Sequence, residues 1–156
     1  MKTYKSFLSF TLSLGIIFLT AYLSSFFLEG GREHISLLYS TKSGLPTENI
    51  FMLFWGIAYA CMVIQMSATI LNRCLRRGIK VWLLLLLTNL LFTLFYFRLS
   101  LYYLGAGLII LALILLAILT SFYVRNTRYL WTCSIPLLAL YGYSLFLCIV
   151  LMLGSS

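Results

Sequence analysis

A chain of 156 residues that is 63% hydrophobic and only 9% charged cannot cover its own surface with polar groups; a soluble domain carries about 25% charged residues. Its mean hydropathy of +1.06 excludes a water-soluble globule, and its length fits one membrane domain. The net charge of +8 comes from 11 Lys and Arg against 3 acidic residues, but the basic residues sit between long apolar runs, which marks them as topology signals and excludes a nucleic-acid surface.

A helix needs about 20 apolar residues to cross the hydrocarbon core. The first such run is Phe7–Leu28. Lys2 and Lys5 before it resemble a signal peptide. A signal peptide's apolar region is only about 7–15 residues, so the run reads as a retained span. Ser9, Ser13, Thr20 and Ser24 form a polar stripe along it, with Gly15 beside. A long first loop, residues 29–49, follows. It holds all three carboxylates, Glu29, Glu33 and Glu48, and the only histidine, His34. The Glu33/His34 pair reads as solvated.

The second run, Ile50–Leu71, carries Phe51, Trp55, Tyr59, Met62 and Met66 on one helical face, with Gln65 at its border. An aromatic and methionine stripe packs helices together, or lines a pocket for a flat apolar ligand. Gly56 and Ala60 form a small-xxx-small pair on an adjoining face. The third run, Val81–Phe97, is the shortest. It sets Asn89, Phe92 or Thr93, and Tyr96 on one side and ends at Arg98, placed to snorkel at the interface. Asparagine in hydrocarbon needs a hydrogen-bond partner, so Asn89 is expected to face the bundle interior. Trp82 at the start of this run, and Trp131 near the start of the last, read as interfacial belt residues.

The fourth run is Leu101–Val124 and the fifth Tyr129–Leu153. The fifth carries Pro136, Leu140, Tyr143 and Leu147 on one face, and Pro136 is expected to kink it. Continuous runs do not alternate as barrel strands do. The fold class is therefore all-α: an integral membrane bundle of five transmembrane helices in a single domain.

Lys2, Lys5, Arg73, Arg76, Arg77, Lys80, Arg125 and Arg128 share one side of such a bundle, against Arg32, Lys42 and Arg98 on the other. The bias puts the N-terminus in the cytoplasm and the C-terminus outside. The expected setting is a bacterial cell membrane. No span contains Asp, Glu, Lys, Arg or His. That argues against proton relays, ion pathways and intramembrane acid–base hydrolysis. The cysteines at 61, 74, 133 and 148 form no CxxC pair and no zinc spacing, so no metal site is expected.

From about Ser43 to Leu147 the chain resembles the TspO/translocator-protein family, the tryptophan-rich sensory proteins related to the peripheral benzodiazepine receptor. Trp55, Tyr59 and Met62 match its Trp-x-x-x-Tyr-x-x-Met pattern. Asn89, Phe92 and Thr93 resemble its Asn-x-x-Trp-Ser. Lys42, Ser43 and Pro46 look like remnants of its Lys-Pro-Ser-Trp-x-Pro-Pro loop segment, and Arg125 to Pro136 matches the basic link into the last span. The chain departs at Gly44, Thr47, Phe92, Leu108, Leu137 and Leu140, where members carry Trp, Pro, Trp, Asp, Tyr and Trp.

The resemblance implies a membrane-embedded binding protein, a sensor or translocator, for flat hydrophobic ligands such as porphyrins or sterol-like lipids. It implies ligand contacts at Pro46, Phe51, Trp55, Tyr59, Met62, Asn89, Phe92, Pro136, Leu140 and Tyr143, with the first loop as a lid. No cofactor is required beyond a porphyrin as ligand. The expected partners are membrane lipid, the hydrophobic small molecule and a second copy packed helix face to helix face. The lost tryptophans argue against turnover. A ligand-free accessory subunit and a tetrapyrrole-degrading enzyme remain as alternatives.

Overall fold

The computed structural model describes residues 2–29, 48–127 and 129–154. Among them are five α-helices: α1 (Lys2–Glu29), α2 (Glu48–Leu71), α3 (Gly78–Thr93), α4 (Tyr102–Asn126) and α5 (Ser134–Gly154). No strand occurs among the described residues. The protein is an all-α bundle, as the continuous apolar runs require. The first loop from residue 30 to 47, with Pro46, Glu33 and His34, lies outside the described residues.

Four helical stretches, Tyr4–Glu29, Leu53–Leu71, Gly78–Arg98 and Tyr102–Asn126, are long and apolar enough to cross a membrane. The fifth is a shorter apolar stretch, Ser134–Ile149. Large apolar side chains such as Phe7, Phe18, Tyr103 and Ile114 stand exposed around the bundle. In water such a surface would drive aggregation; in a bilayer it meets acyl chains.

Helix neighbours close into a ring in the order α1, α2, α5, α4, α3, with α2 also touching α3 across the middle. The centre holds Met62, Leu85, Ile109, Leu116, Leu119 and Leu137, all fully buried. α1 is the least enclosed, with 22% of its apolar window buried. Gly56 would meet nothing within 4 Å if it carried a Cβ, so the expected close helix contact is not made there within this chain.

Two boundaries differ from the apolar runs. Tyr129–Cys133 are turn residues, and α5 begins at Ser134. Pro136 therefore sits in the first turn, where backbone N–H groups have no intrahelical acceptor. It costs no helical hydrogen bond there and gives no reason for the kink expected of it. At the other end of the bundle α3 passes at Thr93 into a π-helical turn, Leu94–Arg98.

A wider turn brings residues four and five apart onto one side. Phe92 stacks on Tyr96 with ring centroids 5.2 Å apart and meets Phe97 edge-on at 5.9 Å. Tyr102 closes the cluster against Tyr96 at 5.5 Å. The turn ends at Ser100, whose φ of 53° lies in the left-handed region. Arg98 does more than end the span: its guanidinium lies 5.7 Å from the Phe26 ring, a cation–π contact that ties this end to α1.

α4 packs against this ring cluster through Gly105. A Cβ there would lie 2.8 Å from Tyr96 Cδ2 and 3.1 Å from its Cβ. The Tyr96 ring is held on three sides and cannot move aside. Gly105→Ala should lower the thermal unfolding midpoint in detergent, by about 1–3 kcal/mol of stability. Gly107→Ala, where nothing lies within 4 Å, should leave it unchanged or raise it. Equal behaviour of the two variants would contradict the close approach.

Candidate functional site

Polar side chains cross the bundle in two layers, and the contrast between them locates the site. The first layer lies toward the end with the 72–78 and 127–133 connections. Trp82 Nε1 donates to the Tyr123 hydroxyl at 2.7 Å. That hydroxyl is 2.8 Å from Thr69 Oγ1, which donates to the Gln65 carbonyl at 2.7 Å. The Tyr123 proton therefore points to Thr69, and donors and acceptors run in one continuous chain. Gln65 Nε2 donates to the Leu130 carbonyl and to Ser134 Oγ, each at 2.8 Å. Ser9 Oγ donates to the Ser67 carbonyl at 2.9 Å. Every helix of the bundle contributes to this layer. Of the side-chain atoms in this network, Gln65 Oε1 is buried without a partner. Trp82, expected at the membrane interface, is instead 0% exposed and part of this network. Trp131 is exposed, as an interfacial residue would be.

The second layer lies about 10 Å further along the helices, at 1.5 Å per residue from Trp82 to Asn89. It contains Ser24 of α1, Tyr59 of α2, Asn89 of α3 and Tyr141 of α5. Asn89 is 1% exposed and Tyr141 0%. The Tyr59 hydroxyl is close enough to Asn89 and Ser24 to interact with both, and Tyr141 lies near it in turn. Distances and angles nevertheless leave Ser24 Oγ, both polar atoms of Asn89, and the Tyr141 hydroxyl without a hydrogen bond. The Tyr96 hydroxyl, beside Cys148, is a further unbonded group in the π turn that follows α3. Some other buried hydroxyls are satisfied within their own helix: Thr88 donates to the Leu84 carbonyl and Ser144 to that of Leu140.

Rings enclose the second layer. Trp55 lies 5.5 Å from the Tyr59 ring and meets Tyr141 edge-on at 6.5 Å. Of the expected contact residues, the structure brings Trp55, Tyr59 and Asn89 to the layer itself. Phe92 is one turn along α3, stacked on Tyr96. Met62 and Leu140 are buried in the apolar core, and Tyr143 is half-buried. Pro136 is at the start of α5, beside the paired layer. Phe51 lies in α2 with its side chain outside the described residues, and Pro46 lies outside them altogether. Tyr141, absent from the expected set, is fully buried. The buried residues of α5 are Ser134, Leu137, Leu140, Tyr141, Ser144 and Cys148, a helical spacing that the sequence does contain.

Comparison with protein-family models, with curated proteins and with solved structures finds no match. What the site can do rests on its own geometry.

An open groove of about 310 Å³ runs between α1 and α2, walled by Ile17, Phe18, Ala21, Ala60 and Val63, and reaches Tyr59. A second, of about 390 Å³, lies along α1 from Leu8 to Leu19. The first is wholly apolar and opens beside the helix least held by the bundle. The layer's groups are neutral hydroxyls and an amide. Among the described residues no group of three or more His, Cys, Asp or Glu could hold a metal ion. Such a set can orient a ligand by hydrogen bonds and ring contact; it offers no acid–base pair.

The two layers predict opposite responses to losing a polar group. Tyr123→Phe strands the buried Trp82 N–H and should cost about 1–3 kcal/mol. Asn89→Leu removes two unbonded polar atoms from an apolar setting and should leave the stability of the ligand-free protein unchanged or higher. Thermal unfolding of both variants in the same detergent checks this; a large loss in Asn89→Leu would mean that Asn89 is already paired.

Proposed function

We propose that the protein is a membrane-embedded binding protein, a sensor or translocator, for flat hydrophobic ligands such as porphyrins or sterol-like lipids, and a divergent relative of the TspO/translocator family. The observation that carries this reading is the layer of fully buried, unbonded polar groups on Ser24, Asn89 and Tyr141, flanked by the Trp55 and Tyr59 rings. Each unbonded group costs about 1–3 kcal/mol when buried, and hydrocarbon offers no water to relieve it. A ligand with an apolar, planar body and a hydrogen-bonding group would bond to these atoms and stack on the rings. Entry would follow the α1–α2 groove past Tyr59. In this reading the protein binds and does not turn over its ligand: Leu140 stands where the resembled family carries tryptophan, and protoporphyrin should be recovered unchanged after illumination.

The close stacking of Phe92 on Tyr96 favours the rival, a ligand-free accessory subunit. Tryptophan fluorescence quenching by protoporphyrin and by a sterol separates the two. Trp55→Ala and Asn89→Leu should weaken binding at least about tenfold, a loss of 1.4 kcal/mol or more, while Trp131→Ala should bind normally. Equal losses at all three sites, or no saturable binding of either probe, would favour the accessory role.

The orientation proposed is N-terminus in the cytoplasm. Arg73, Arg76, Arg77, Lys80 and Arg125 are all exposed at one end of the bundle, and Arg98 at the other. A reporter that works only in the cytoplasm should be silent when fused after Ser156; strong activity there would overturn the orientation.

A further inference from the structure

Two of the four cysteines are neighbours across a helix interface. Cys61 is one helical turn from Gln65 on α2, and the Gln65 amide bonds at 2.8 Å to the Leu130 carbonyl and at 2.8 Å to Ser134 Oγ. These two acceptors bracket Cys133 in the turn before α5. The same face of α2 therefore carries Cys61 onto that turn, where its thiol lies within reach of the Cys133 thiol. Both are free thiols and both are half-buried, whereas Cys74 is exposed and Cys148 buried. Ile57 and Ile64, a turn to either side of Cys61, stand exposed on the bundle surface. The open side of Cys61 thus faces acyl chains, while Cys133 sits in the connection at the end of the bundle.

We propose that Cys61 and Cys133 form a reversible disulfide, a redox modification site whose oxidant is a lipid-soluble hydroperoxide. The Cys133 sulfur attacks the outer peroxide oxygen. The O–O bond breaks, the sulfur becomes a sulfenic acid, and the displaced alkoxide takes the thiol proton to leave as an alcohol. The Cys61 sulfur then attacks the sulfenic sulfur. The S–O bond breaks, and the leaving hydroxide takes the Cys61 proton and departs as water. Two thiols lose two electrons and two protons, and the peroxide is reduced to alcohol and water. The bond clamps α2 to the start of α5, the helices that carry Tyr59 and Tyr141. The proposal stands whether or not that layer takes a ligand.

The test uses the full chain in detergent, treated with cumene hydroperoxide and, separately, with hydrogen peroxide. A Cys74→Ser/Cys148→Ala double variant isolates the pair. Cumene hydroperoxide should remove the mass of two hydrogens, block maleimide labelling of Cys61 and Cys133 together, and give a non-reduced digest in which their peptides are joined. A thiol reductant should reverse all three changes. The cross-link closes a loop of about 70 residues in the unfolded chain, so the unfolding midpoint should rise by several degrees on oxidation. Cys61→Ala and Cys133→Ala should each abolish the joined peptide; either one suffices if the other fails to fold. Cys61 and Cys133 still labelled after Cys74 is consumed, or a disulfide only between two chains, would overturn the proposal.

Discussion

Inside a bilayer a polar side chain can bond only to the protein or to something the protein binds. This constraint sorts the interior of the bundle. Where five helices converge near the 72–78 and 127–133 connections, a network joins them: Trp82, Tyr123 and Thr69 bond in a directed chain that ends on the Gln65 backbone carbonyl, and the Gln65 side-chain amide donates separately to Leu130 and Ser134. It fixes the helices to one another at that end, and cooperativity along such a chain strengthens each bond. About two turns further on, Ser24, Asn89 and Tyr141 are buried as deeply and lack what the first layer has. Several unbonded groups gathered in one layer, against the single Gln65 Oε1 in the first, are the kind of local violation that proteins keep at functional sites.

The far end of the bundle is held by different means. The π turn after Thr93 gathers Phe92, Tyr96, Phe97 and Tyr102 into one ring cluster, and Gly105 lets α4 approach it closely. The middle layer lies between the hydrogen-bonded network at one end and the ring cluster at the other. α1, which closes the ring of helices with the smallest buried share, borders it. Together these features put the weakest wall of the bundle beside its unbonded groups.

The helix count and the all-α architecture were legible because hydropathy alone delimits runs long enough to span. Their ends were less so. Tyr129–Cys133 are largely apolar and continue the last run, and hydropathy does not register that their backbone turns. Trp82 was misplaced for a related reason: α3 begins earlier than its run, at Gly78, which packs against Leu119 and Thr69, so Trp82 is drawn inward. Asn89, Trp55 and Tyr59 were legible from polarity and spacing. Tyr141 was not, because of the expected face, Pro136, Leu140, Tyr143 and Leu147, only Leu140 is buried, and Tyr141 lies one residue, about 100° on a helix, beyond it. The π turn left no trace that a period of 3.6 could detect.

A binding site of this kind requires that the Asn89 amide lack a partner until a ligand supplies one. The most direct measurement is the side-chain carbonyl stretch of Asn89, isolated in isotope-labelled protein as the difference from Asn89→Leu. It should lie at the frequency of an unbonded amide in the free protein and move to lower wavenumber when protoporphyrin or a sterol is added to saturation. A carbonyl already at the bonded frequency, and unmoved by either molecule, would contradict it.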